Sequence, residues 1–166
     1  MSAASSRIAV SAAGALVAGF VGATVWADSR PYAVPDLAMT PGLAATIDPA
    51  EICASDGHAG SFYSRAHRHT TYDMKLAVAY AYSLPRRDWS TVEFDHLIPL
   101  CLGGADDTRN IWPQPVEEAR VKDRAEAAAC REACRGDMDA AGIKQLQAAF
   151  AGDWRAAYRK VMGSAP

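Results

Sequence analysis

The sequence predicts an α+β domain in which helix dominates, and three features carry that prediction. Apolar residues recur at helical spacing over residues 71–84 and through most of the chain after residue 116. The short segment TVEF, residues 91–94, has the β-branched and aromatic character of a strand. The pair Gly103-Gly104 then supplies backbone able to turn with positive φ, so the chain is expected to double back as a short hairpin. At 166 residues the chain has room for one core, since domains run to about 100–200 residues. A composition that is 50% hydrophobic and 22% charged is globular and excludes a disordered chain. The net charge of −2 excludes a uniformly basic nucleic-acid glove. Residues 61–90 nevertheless set Arg65, Arg68, Lys75, Arg86 and Arg87 against only Asp73 and Asp88, with His67 and His69 among them.

Taken in order, residues 1–27 read as a targeting segment. Arg7 is a short positive region, an uncharged run follows to Trp26, and Val25 and Ala27 fit a small-residue cleavage site, so the cut is expected after Ala27. The alternative is an uncleaved anchor that tethers the protein to a membrane through residues 7–26. Either way the rest of the chain is expected outside the cytoplasmic membrane, secreted or periplasmic. Residues 28–50 form a lead-in whose Pro31, Pro35, Pro41 and Pro49 forbid long regular structure. The main domain spans residues 51–166. Within it, residues 61–71 read as a polar loop. Thr71 or Asp73 caps a helix that ends at Pro85, with Leu76, Ala79, Tyr80 and Ser83 at helical spacing and Tyr72, Tyr80 and Tyr82 read as core. Beyond the hairpin and the proline-broken WPQP, a charged helix runs from about Val116 to Cys134 and stops at Gly136. Two shorter helices, residues 138–150 and 153–162, are separated by Gly152.

Compartment decides how the cysteines are read. Cys53, Cys101, Cys130 and Cys134 are an even set in an oxidising compartment, so two disulfides are expected. Of the three pairings, Cys130 with Cys134, one helical turn apart, is the least comfortable. A zinc site lacks its usual CxxC pairs.

Chemistry concentrates in residues 93–114, EFDHLIPLCLGGADDTRNIWPQ. Hydrolysis of a phosphodiester needs a base to deprotonate water and a cation to offset the charge that develops on phosphate. Adjacent residues on a strand leave opposite faces, so Asp95 could hold a metal while His96 addresses a water. Imidazole suits a base because it titrates near neutrality, and Asn110 could fix which ring nitrogen carries the proton. Asp106 and Asp107 read as turn and cap residues, and Trp112 as an apolar anchor beneath the hairpin.

The ordered set DHLIPLCLGG, DDTRNIWPQ and a following helix resembles the HNH nuclease motif. TPG at Thr40, EIC at Glu51, KDRAE at Lys122, CRG at Cys134 and DW at Asp153 extend the similarity to small secreted bacterial HNH-like proteins. The resemblance implies a ββα-metal core, a hairpin crossed by a helix and gripping one divalent ion, with additional helices flanking it. It implies a metal-dependent endonuclease, with Asp95 as metal ligand, His96 as general base and Asn110 as the residue that orients the base. The position that supplies the second protein ligand in that pattern is Ala119 here, which has no donor, so Glu118 is taken as the ligand, with Asp123 behind it. Mg²⁺ is the expected cofactor, with Mn²⁺, Ni²⁺ or Zn²⁺ as alternatives. The expected partner is nucleic acid, DNA before RNA, met by Arg109, Arg65 and Arg68, with no obligate protein partner. His58, His67 and His69 would either join these phosphate contacts or be solvated. The competing reading is a secreted module that keeps the hairpin as a folding unit and binds nucleic acid or an envelope partner without catalysis.

Overall fold

The computed structural model describes residues 32–54, 61–136 and 138–165. The candidate targeting segment, the run at residues 7–26 and His58 lie outside the described residues. The described chain is α+β with helix dominant. Its elements are α1 (Pro49–Ile52), α2 (Ser61–His67), α3 (Tyr72–Ala81), β1 (Val92–His96), β2 (Ile111–Pro115), α4 (Val116–Ala133) and α5 (Ala140–Met162). No helix among the described residues is long and apolar enough to cross a membrane.

β1 and β2 pair antiparallel, from Val92 opposite Pro115 to His96 opposite Ile111. The connection differs from the expected short hairpin: residues 97–110 form a long loop with two 3-10 turns, Leu100–Leu102 and Thr108–Asn110. Gly103 does adopt a left-handed backbone, φ 81°, but as the end of the first 3-10 turn. Gly104 is required for close approach, because a Cβ there would lie 2.1 Å from the Ile98 carbonyl oxygen. Two prolines sit inside β2, where proline was expected to break structure. In a two-stranded sheet both strands are edges, so a missing N–H on the outer side costs no ladder bond.

Residues 61–71 also depart from the expected loop, since seven of them form α2. His67 is part of that helix, its Nδ1–H donating to the Tyr63 carbonyl at 2.9 Å and its ring stacked on Tyr63. Thr71 caps α3 as expected, accepting from Met74 N. The buried face of α3 is Val78 and Ala79, whereas Tyr72 and Tyr80 are exposed, so two of the three tyrosines read as core are not.

The core lies between α4, α5 and the strands. Ala125, Ala129 and Ala133 make a stripe of small residues on α4, and they share one buried cluster with Trp112, Ile143, Phe150 and Trp154. Alanine at every fourth position lets α5 approach closely, which accounts for the alanine richness of this half. The two helices predicted after residue 138 follow one another within α5 and are divided as expected, beside Gly152, at Asp153, whose φ of −156° and ψ of 100° are extended. Asp153 Oδ1 accepts from Arg155 N and so restarts the second half. The described part of the irregular lead-in, residues 32–50, is tied to the fold at several points: Thr40 is fully buried, Ala44 pairs with Gly104, and Gln147 of α5 donates to the carbonyls of Thr46 and Leu102. Disulfides Cys53–Cys134 and Cys101–Cys130 then pin α1 and the long loop to the end of α4. Two such bonds fit a chain that matures in an oxidising compartment.

Candidate active site

Asp95 and His96 end β1, and alternation sends their side chains to opposite faces. Both faces are covered, so Asp95 is 6% exposed and His96 2%. That burial defines what each can do.

On the His96 side, Nε2 lies 2.8 Å from Asp106 Oδ1. Asp106 also accepts from Thr70 Oγ1 at 2.6 Å and from the His69 backbone N–H. Burial opposes ionisation of Asp106, but the bonds from Thr70, His96 and His69 hold its carboxyl below its ordinary value. Burial lowers the His96 pKa, outweighing the opposing pulls of Asp106 and Asp95, and Arg68 adds to the lowering. The ring is therefore neutral at pH 7, with its proton on Nε2 facing the carboxylate. Nδ1 keeps its lone pair; it is closed to solvent and has no hydrogen-bond partner among the described residues. An imidazole oriented by a carboxylate through one nitrogen and basic at the other is the arrangement general-base chemistry uses.

On the Asp95 side, Lys122 reaches in from α4 and is fully buried. Its Nζ donates to Asp95 Oδ2 at 2.6 Å, to the His96 carbonyl at 2.7 Å and to Glu126. Burial works against the ammonium, yet Asp95 and Glu126 outweigh it and raise the Lys122 pKa. Burial and the neighbouring Asp95 hold the Glu126 carboxyl up, to about 7, even against Lys122. Glu93 and Asp123 are also raised, by burial first and then by Asp95.

The other expected site residues fall in different places. Asn110 is fully buried, and its side-chain hydrogen bonds go to backbone groups of the long loop and the lead-in instead of the imidazole. Its Oδ1 accepts from Ile98 N at 2.9 Å and from Leu43 N at 3.4 Å, while Nδ2 donates to the carbonyls of Ile98 and Ala105. With both oxygen lone pairs and both N–H groups used, it is the staple of the long loop, and the loop in turn carries Asp106 to His96. Glu118 is paired with Arg155 of α5 at 2.8 Å. Arg109 forms a two-pronged pair with Asp107, which also caps its 3-10 turn as expected. Arg65 is exposed on α2.

Asp95 and Glu118 thus do not fit a shared divalent ion: Lys122 occupies one carboxylate and Arg155 the other. Among the described residues, no group of three or more His, Cys, Asp or Glu could hold a metal. Lys122 is the cation at Asp95.

Beside the site lies a groove of about 1020 Å³, whose lining includes Arg68, Lys75 and Arg86 together with Tyr72, Trp89 and Phe94. Phe94, two residues before His96, leaves the same face of β1, and His69 and Thr70, which bond Asp106, line the groove as well. Sequence reasoning missed Asp106 because an acid in a Gly-Gly-Ala-Asp-Asp run is most simply a turn residue. Lys122 and Glu126 both belong to the KDRAE segment, but an ammonium donates no lone pair to a metal and so falls outside a search for ligands. Among protein-family models, curated proteins and solved structures, none matches this chain.

Proposed function

We propose that the chain is a secreted or periplasmic nuclease of the HNH kind that hydrolyses phosphodiester bonds of nucleic acid. The observation that carries this reading is His96, oriented by Asp106 through Nε2 and left with a buried Nδ1 unpartnered among the described residues, two residues from Phe94, which lines a groove with Arg68, Lys75 and Arg86. In this reading His96 Nδ1, closed to solvent in the described fold, takes the proton of an attacking water once local opening of the strand end admits one, and the groove cations hold the phosphate backbone. The antiparallel pair with α4 following it directly and packed on both strands has the element order that the HNH resemblance implies. The paired cysteines agree with a home beyond the cytoplasmic membrane, whether the chain is released or held through residues 7–26. Asp95 and Glu118 are each paired with a protein cation, Lys122 and Arg155.

One observation favours the second reading, a binding module without catalysis: Lys122 fills the position on Asp95 where the HNH pattern calls for a metal. A single experiment separates the two. Purified protein is incubated with duplex DNA, single-stranded DNA and RNA, in EDTA and with Mg²⁺, Mn²⁺, Ni²⁺ or Zn²⁺, beside His96→Ala. Cleavage that disappears in a folded His96→Ala protein supports the nuclease. Absence of cleavage in every condition, or equal cleavage by the variant, leaves the binding module.

A further inference from the structure

The groove has a composition that the hydrolytic site alone does not explain. Trp89 and Phe94 meet at 4.8 Å between centroids with planes 66° apart, and Tyr72 and Trp89 at 5.8 Å and 46°. Neither pair is a parallel stack, and Tyr72 is 56% exposed. Cations are interleaved with them: the Arg86 guanidinium lies 4.1 Å from the Trp89 centroid and Lys75 Nζ 5.9 Å from that of Phe94. Arg68 lines the same groove, and Glu93 is the one acid among the described lining residues. Three cations against one acid, in a chain whose net charge is −2, form a local anion-attracting surface.

Alternation of ring faces and cations matches a strand in which bases alternate with phosphates. In a duplex the base faces are stacked on one another and closed to a protein ring, whereas an unpaired strand offers both features at once. We propose that this groove holds a single-stranded segment of nucleic acid, with bases against Tyr72 and Trp89 and phosphates against Arg68, Lys75 and Arg86. The proposal rests on the nucleic-acid reading above for the class of ligand and is independent of whether the bound strand is cut. Arg86 moves off the indole to a phosphate as the base arrives, exchanging one cation–π contact for a charge-assisted bond.

The test is anisotropy of a fluorescently labelled oligo-dT of about 12 nucleotides, within the usual span for such grooves. It is read with the full chain, wild type and His96→Ala, against a duplex of equal length and inorganic polyphosphate as competitors. The single strand is expected to bind at least about ten-fold more tightly than either competitor, the gain typical of one stacked base. Tyr72→Ala and Trp89→Ala each weaken the single strand about ten-fold and leave polyphosphate binding unchanged. Arg86→Ala weakens both and flattens the salt dependence. Trp89 is half-buried, so Tyr72→Ala, at an exposed position, keeps the test valid if Trp89→Ala melts early. Equal affinity for duplex or polyphosphate overturns the proposal, as does undiminished binding by a folded Tyr72→Ala protein. Tyr72-dependent binding without cleavage of any substrate overturns the nuclease reading and leaves this proposal standing; cleavage with duplex-preferring binding does the reverse.

Discussion

Replacing Lys122 by Met removes one ammonium and keeps most of the stem that lies beside Phe150. The Nζ is 5.9 Å from that ring's centroid, so packing changes little and the consequence is electrostatic. Three acceptors lose their donor: Asp95 Oδ2, the His96 carbonyl and Glu126. Removing one member of a buried ion pair costs about 3–5 kcal/mol, because the remaining charge stays buried without compensation. The stranded His96 carbonyl adds about 1 kcal/mol. Lys122→Met is therefore expected to lose about 4–6 kcal/mol in urea denaturation at pH 7, with an unchanged m-value. Adding Asp95→Asn removes one of the uncompensated charges, so the double variant should be more stable than the sum of the two single losses by about 1–3 kcal/mol. A loss below about 1 kcal/mol for Lys122→Met, or strict additivity, would refute the view that this ammonium neutralises the acidic side of β1.

Further expectations follow from the same geometry. Asn110→Ala strands the Ile98 N–H and the carbonyls of Ile98 and Ala105 in the interior, and should cost about 3 kcal/mol or more by denaturation; a loss under about 1 kcal/mol would remove its role as loop staple. Asp106 has a folded pKa below its ordinary 3.8, so its contribution to stability is present above that value and is lost as pH falls through the folded pKa. Asp106→Asn should therefore cost about 1–2 kcal/mol at neutral pH and flatten the acid limb of the stability curve below about pH 4, and an unchanged acid limb would contradict the assignment. Removing Cys53–Cys134, which spans 81 residues, is expected to cost about 4.5 kcal/mol, against about 3.6 for Cys101–Cys130, which spans 29; thermal melts of the paired Cys→Ala variants check the order.

Much of the fold was legible because its signals are local. Thr71 caps α3 by its own side chain, Val116 opens α4 behind two prolines, and the chain breaks at Asp153 beside Gly152, all from residues adjacent in sequence. The misread parts depend on remote neighbours. α2 is illegible as a helix in sequence because its Arg and His residues hide any apolar periodicity, whereas in the fold its Tyr63 is buried. The connection between the strands was read as a tight turn because Gly103-Gly104 permits one. In the structure those glycines instead let the loop press against Ile98 and Thr46, which no short-range pattern reports.

The candidate site divides in the same way. The sequence by itself determined that Asp95 and His96 leave opposite faces of one strand, that an acid-rich and basic helix follows, and that the cysteines pair, since alternation, helical periodicity and an even cysteine set are properties of neighbouring or countable residues. Only the tertiary structure decided which groups meet across 10 to 37 residues of chain: Asp106 with His96, Lys122 with Asp95, Arg155 with Glu118. A buried charge must be matched by whatever opposite charge the packing brings within reach, and that choice is made by the fold as a whole.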